Sequence, residues 1–223
     1  MVKAIIFDFD GLIFDTETFE LESFQQLYQK YNIEFPIESW LKGIGSSLAF
    51  DPYEQLLHCI PNIDRDTVRQ ERRKVYKELI ADQLPRDGVV DYLKRAKQLG
   101  IMTAIASSSR RSWVDEHLDK LNLTDYFDVI FTADDAEEVK PAPDLYLKVL
   151  NHFHITPEDA IVFEDSPNGS LAAINAGISC VIVPNKTTAE LAFDKRVALR
   201  MKSKNEKSLD EVLHEIGIFH GET

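Results

Sequence analysis

Val2 to Phe7 is apolar at every position but Lys3, rich in branched side chains, and leads into Asp8-Phe9-Asp10-Gly11. Four consecutive apolar residues, Ala4 to Phe7, have no face to offer water, so they predict a strand in the middle of a sheet covered on both sides. In such sheets ligands gather at the carboxyl ends of the strands, which is where Asp8 and Asp10 stand. Alternation along an extended chain sends both carboxylates to the same side, and two half-buried negative charges there repel unless a cation joins them. Taken alone, the tetrapeptide suits a turn before the next helix as well as it suits catalysis.

Beyond Asp15 the periodicity changes. Leu21, Phe24, Leu27, Tyr28 and Tyr31 recur at helical spacing, and Arg65 to Ile80 reads as a second long, charged helix with Val68, Val75 and Leu79 apolar. Trp40, Leu41, Ile44, Leu48, Leu56 and Leu57 lie between them, again helix-like, so residues 16–82 contain helices and no convincing strand. From Leu84 onward the signals alternate. Helices are expected over Asp87–Leu99, Arg110–Leu121, Pro143–Asn151 and Pro167–Ala176, and strands over Ile101–Ala106, Phe127–Thr132, Ala160–Phe163 and Cys180–Val183. Strands separated by helices imply a parallel sheet with right-handed crossovers. The fold class is therefore α/β: a Rossmann-like core of residues 1–15 and 83–223 with helices on both faces, interrupted by a small all-helical cap at 16–82. An insertion that begins just past Asp10 is expected to stand above the carboxyl ends of the strands and to act as a lid.

Charge narrows the partners. Acidic residues outnumber basic ones by 38 to 25, a formal net charge of -13, which repels nucleic acids and anionic membrane surfaces. A small phosphate ester remains compatible, because a metal ion and one lysine reverse the field inside a pocket. No apolar run approaches the roughly 20 residues that cross a bilayer, and no basic leader is visible, so a cytoplasmic address is expected. Cys59 and Cys180 read as ordinary reduced thiols. Lys202 to Lys207 reads as a solvated loop, His152 and His154 as a surface helix end, and Trp40 and Trp113 as core anchors. Monomer is the default in the absence of an interface signature.

Three later strand ends also carry polar groups. Ser107-Ser108-Ser109-Arg110 follows the strand ending at Ala106; its hydroxyls suit a helix cap, and they also suit phosphate oxygens at a helix N-terminus. Lys140 lies in Val139-Lys140-Pro141-Ala142-Pro143-Asp144, where two prolines stiffen what is otherwise an ordinary loop lysine. Ala160 to Phe163 runs into Glu164-Asp165-Ser166, a second apolar strand ending in adjacent acids, where Asp165 suits a cap as well. If the first and last of these strands are neighbours, Asp8, Glu164, Asp165 and a backbone carbonyl form an oxygen-only cage suited to Mg²⁺.

In this order the four segments resemble the motifs of the haloacid dehalogenase-like phosphatases: Asp8-Phe9-Asp10-Gly11-Leu12-Ile13-Phe14-Asp15-Thr16, then Ser107, then Lys140, then Glu164-Asp165. The likeness covers essentially the whole chain and is closest to the β-phosphoglucomutase-like branch, through Lys140-Pro141-Ala142-Pro143-Asp144 and Glu164-Asp165-Ser166. It implies a Mg²⁺-dependent phosphatase acting on a small phosphorylated metabolite. Asp8 is then the nucleophile that becomes an aspartyl phosphate, and Asp10 the general acid and base. Mg²⁺ is held by Asp8, the Asp10 carbonyl, Glu164 and Asp165, while Ser107, the Ser108 backbone and Lys140 hold the transferring oxygens. Substrate choice falls to Glu20, Lys42, Gly43, Ser46 and Ser47 in the cap, with Arg110 and Arg111 beside the second motif.

Asp10 disfavours dehalogenation, because a departing halide needs no proton. A phosphosugar mutase is the main alternative, but this chain has Glu20 where the mutases place a histidine and Ile44-Gly45-Ser46-Ser47 where they place an arginine. Lys42 leaves a phosphonoacetaldehyde hydrolase as a minor alternative. A phospho-accepting signalling module is the alternative from another class, and the cap and Asp10 speak against it.

Overall fold

The computed structural model describes residues 2–43 and 50–217. The chain divides into two compact units, Met1–Phe14 with Leu84–Thr223, and Asp15–Gln83.

In the first unit β1 (Ala4–Phe7) is the centre of a sheet completed by β2 (Met102–Ala106), β3 (Val129–Phe131), β4 (Ala160–Glu164), β5 (Ser179–Ile182) and β6 (Leu199–Arg200). The order is β3-β2-β1-β4-β5-β6, and every pairing is parallel. The chain adds strands to one side of β1 and then returns to build the other, so the strand order reverses between β1 and β4. That crevice is where open α/β sheets bind their ligands. Phe7 pairs with Phe163, and the Asp8 N–H donates to the Phe163 carbonyl at 3.0 Å, which fixes Asp8 beside Glu164.

Helices α5 (Val89–Gln98), α6 (Arg111–Leu121), α7 (Asp144–Phe153), α8 (Pro167–Asn175) and α9 (Leu209–Glu215) accompany the sheet. Successive β1 side chains point to opposite faces. Ile6 joins Val162, Tyr146, Val149 and Ala173 in one core, whereas Phe7 stacks on Phe163 at 5.5 Å, with the Tyr92 ring of α5 edge-on to Phe163 at 5.4 Å. Burial on both faces accounts for the apolar run with which the chain opens.

The helical unit contains α1 (Thr16–Lys30), α2 (Ile37–Gly43), α3 (Glu54–Cys59) and α4 (Arg65–Ile80). Phe24, Leu27 and Tyr28 of α1 meet Val68 of α4 and Leu56 of α3 in its own small core, with Trp40 packed against them. Among the described residues this unit contains no strand, and none of the chain's described helices is long and apolar enough to cross a membrane.

Two cations anchor the loop that leaves β1. The Arg86 guanidinium donates to the carbonyls of Gly11, Val183 (3.0 Å) and Pro184 (2.9 Å), and the Arg86 N–H donates to Ile13 at 2.8 Å. Lys204 donates to the Leu12 carbonyl at 2.9 Å and is only 2% exposed. Lys204 thus corrects the reading of Lys202–Lys207 as a solvated loop: its stem runs inward and its ammonium satisfies a backbone oxygen that water cannot reach. Burial, with Arg86 nearby, pulls its pKa well below the ordinary lysine value. Arg86→Ala leaves three carbonyls without this donor and should destabilise the fold by on the order of 3 kcal/mol in urea unfolding. Arg86→Lys should recover less than half, since one ammonium lacks the planar fork. An alanine variant within about 0.5 kcal/mol of the parent chain would remove Arg86 from this role.

Candidate active site

The capping explanations for the strand-end residues do not hold in the structure. The N-cap of α1 is Asp15, which accepts from the Thr18 N–H at 3.1 Å, so neither Asp8 nor Asp10 caps that helix. At α8 the N-cap is Ser166, accepting from the Gly169 N–H at 3.1 Å, rather than Asp165. Arg110 caps α6 without a side-chain bond, so no hydroxyl of Ser107-Ser108-Ser109 does so. The acids at these strand ends meet other groups instead: Asp8, Glu164 and Asp165 gather with Lys140, and Asp10 pairs with Ser109.

Asp8, Glu164 and Asp165 bring carboxylate oxygens within 4.8 Å of one another, all three residues buried. Lys140, its side chain 5% exposed, sits among them and donates to Asp8 Oδ1 at 2.6 Å and to Glu164 Oε1 at 2.7 Å. Tyr146 of α7 donates to the same Glu164 oxygen at 2.7 Å. Glu164 Oε2 accepts from the N–H groups of Asp165 (3.1 Å) and Ser166 (3.3 Å) and from the Ser166 hydroxyl (3.2 Å). Gly169, in the first turn of α8, lies so close to this carboxylate that an added Cβ would overlap it. Gly11 has the same constraint against the Asp165 carboxylate, together with a φ of +76° that disfavours any side chain.

Burial of this cluster changes its acids. Asp8 is pushed up to about 8, first by burial and then by the Glu164 charge, with Lys140 pulling the other way. Burial opposes the charge on Lys140, but Asp8 and Glu164 outweigh it and hold the ammonium above its ordinary value. Burial and the Glu164 charge raise Tyr146 well above the usual phenol range, which keeps its O–H a donor.

Asp10 is held separately. Its Oδ2 accepts from the Ser109 hydroxyl at 2.6 Å and its Oδ1 from the Trp113 indole N–H at 2.9 Å. Trp113 is therefore a hydrogen-bond donor to a strand-end aspartate rather than a core anchor; its ring lies against His117 at a tilt of 42°, 3.9 Å between centroids. Ser107 is buried and its hydroxyl accepts from the Ser109 N–H at 3.0 Å, while Ser108 and Arg110 are exposed. Arg111 is exposed and its guanidinium donates to the Ile130 carbonyl at 2.5 Å.

The expected specificity residues belong to the helical unit. Glu20 lies on α1, 3.5 Å from Arg72 of α4, and Lys42 and Gly43 end α2. Ser46 and Ser47 lie outside the described residues. Sequence reasoning missed Tyr146, Ser109, Trp113 and Asn185 as site residues. The triple serine was a signal for Ser109, whereas Tyr146 and Trp113 sit at helical positions whose direction no local pattern reveals.

A hydrolase family accounts for this combination of sheet and site. A family model described as haloacid dehalogenase-like hydrolase matches residues 5–183, and the chain belongs to that family. It falls in the β-phosphoglucomutase-like branch. Its structure matches that of a "putative beta-phosphoglucomutase" from Thermotoga maritima with a TM-score of 0.76 and 26% identity, covering 92% of this chain and 96% of that one. The Bacillus subtilis protein named "Putative phosphatase YhcW" is 45% identical over 195 residues, covering 87% of this chain and 89% of that protein. The "Phosphorylated carbohydrates phosphatase" of Thermotoga maritima is 30% identical over 181 residues, 79% of this chain and 82% of that protein.

The raised acid sets a stability test. With Asp8 at about 8 when folded and 3.8 as its ordinary value, the metal-free folded chain keeps a proton that the unfolded chain has released. Its stability therefore falls as pH rises through that interval. Asp8→Asn cannot ionise and should melt several degrees above the parent chain in EDTA at about pH 8, with a much smaller advantage at about pH 5. A variant that melts below the parent at the higher pH would contradict the burial of a strained carboxylate.

Proposed function

We propose that this chain is a Mg²⁺-dependent phosphatase that hydrolyses a small phosphomonoester, such as a sugar phosphate, through an aspartyl phosphate on Asp8. The buried meeting of Asp8, Glu164 and Asp165 around Lys140 carries this reading. Three carboxylates and one ammonium leave excess negative charge in a dry site, and an oxygen-only donor set fits a hard divalent cation. The site therefore fits Mg²⁺, held by Asp8, the Asp10 carbonyl, Glu164 and Asp165. The bound ion supplies positive charge that keeps Asp8 ionised and lets an anionic nucleophile approach a phosphate dianion.

In the first half-reaction an Asp8 oxygen attacks phosphorus, the P–O bond to the alcohol breaks, and Asp10 gives its proton to the leaving oxygen. In the second, water attacks the phosphorus, Asp10 takes a proton from that water, and inorganic phosphate leaves with Asp8 restored. Lys140 and the Ser107 hydroxyl, with the Ser108 N–H, steady the transferring oxygens. Ser109 and Trp113 orient Asp10, and Glu164, gripped by Tyr146 and its own turn, keeps Lys140 directed at Asp8. Glu20, Lys42, Gly43, Ser46 and Ser47 of the helical unit, with Arg110, select the substrate. The relatives' names support phosphatase chemistry, and one of them is named for phosphorylated carbohydrates.

Catalytic release of phosphate from p-nitrophenyl phosphate should require Mg²⁺ and should disappear in Asp8→Asn with the fold intact. A single equivalent of phosphate would favour a phospho-accepting module. Asp10→Asn should slow alkyl phosphates by at least about a hundredfold more than aryl phosphates, whose leaving groups need little protonation. Equal losses on both would take the acid role from Asp10. β-Glucose 1-phosphate assayed for isomerisation as well as hydrolysis separates the phosphatase from a mutase.

A further inference from the structure

We propose that Asn185 is a positioning residue for the cation site, acting by holding Asp165; this rests on the reading of Asp165 as a Mg²⁺ ligand. Strand β5 pairs with β4 so that Ile182 lies opposite Glu164, and the Val183 N–H donates to the Glu164 carbonyl at 2.7 Å. The segment that follows β5 is thereby led past Asp165. Asn185 is 5% exposed there, and its Nδ2 donates to Asp165 Oδ2 at 2.9 Å.

The orientation of that amide is decided by its other end. Asn185 Oδ1 accepts from the Thr187 N–H (2.8 Å), the Thr187 hydroxyl (2.6 Å), the Thr188 N–H (3.0 Å) and the Thr188 hydroxyl (3.3 Å). Two of these donors are backbone N–H groups, which cannot reverse their role, and an amide nitrogen cannot accept from them. The oxygen must face the threonines, so the NH₂ must face Asp165. Gly11, in the loop after β1, completes the arrangement: a Cβ there would come within 2.7 Å of Asn185 Nδ2 and would overlap the Asp165 carboxylate. One oxygen of Asp165 is thus tied to a donor that cannot rotate away. Partners of this kind set the orientation of a metal-binding carboxylate, and their loss commonly weakens metal binding by 10–100-fold.

Asn185→Asp is the discriminating variant. It has the same shape and keeps an acceptor for the threonine donors, but it turns an acceptor toward Asp165. Isothermal titration of Mg²⁺ into metal-free protein should give one site in the parent chain and a dissociation constant raised at least about tenfold in the variant. Thr187→Val, which removes one hydroxyl donor while retaining Asn185, should weaken Mg²⁺ binding by a few-fold, and it serves as the deciding variant if Asn185→Asp does not fold. A purely structural Asn185 would lower the melting temperature in EDTA and leave the Mg²⁺ constant of each folded variant unchanged. That result, or Mg²⁺ binding as tight as in the parent, overturns the proposal while the phosphatase reading stands. If the parent chain itself binds no Mg²⁺, the reading of the site fails first, and the role of Asn185 fails with it.

Discussion

Like charge, gathered where water is scarce, is the constraint around which the sheet end is arranged. Asp8 directly follows β1, Glu164 ends β4 and Asp165 follows it, and parallel pairing in register makes their meeting unavoidable. Lys140 reduces the repulsion by bridging Asp8 and Glu164, yet Asp8 still lies far above the ordinary carboxylate range. A folded chain that keeps such a carboxylate buried holds a site prepared for added positive charge. The same electrostatics that burden the metal-free fold suit the cation that the proposed reaction calls for, and only with that cation would an anionic substrate be welcome.

Rigidity around this cluster comes from main-chain anchoring more than from ion pairs. Gly11, Leu12 and Ile13 present consecutive carbonyls to Arg86, Lys204 and the Arg86 N–H, so the loop after Asp10 is gripped residue by residue. On the β4 side, Glu164 is wrapped by its own turn and by Tyr146, and α8 approaches it through a glycine. Side chains with opposite electrostatic needs are thereby kept at fixed separations, which a flexible loop could not achieve.

The architecture was legible because it is written in local periodicity. The consecutive apolar residues Ala4–Phe7, closed by Asp8, read as an interior strand and form β1, and the charged amphipathic stretch at Arg65–Ile80 became α4 with those bounds. β6, two residues long, has no room for a pattern. The strand-end acids were legible as a set because residues brought to one sheet edge must answer one another's charge. What the sequence left open were side chains whose partners are distant: Trp113 reaches back to Asp10, Asn185 to Asp165, and Lys204 to Leu12. Each looks unremarkable among its neighbours in the chain, since an indole at a helical position or a lysine in a charged stretch gains its meaning only from the strand beneath it.

An anomalous difference map from crystals grown with Mn²⁺ in place of Mg²⁺ tests the shared-cation premise most directly. One peak bonded to the carboxylates of Asp8 and Asp165 and to the Asp10 carbonyl is the expected result. A map with no peak there, while Lys140 remains bonded to Asp8 and Glu164, would contradict it.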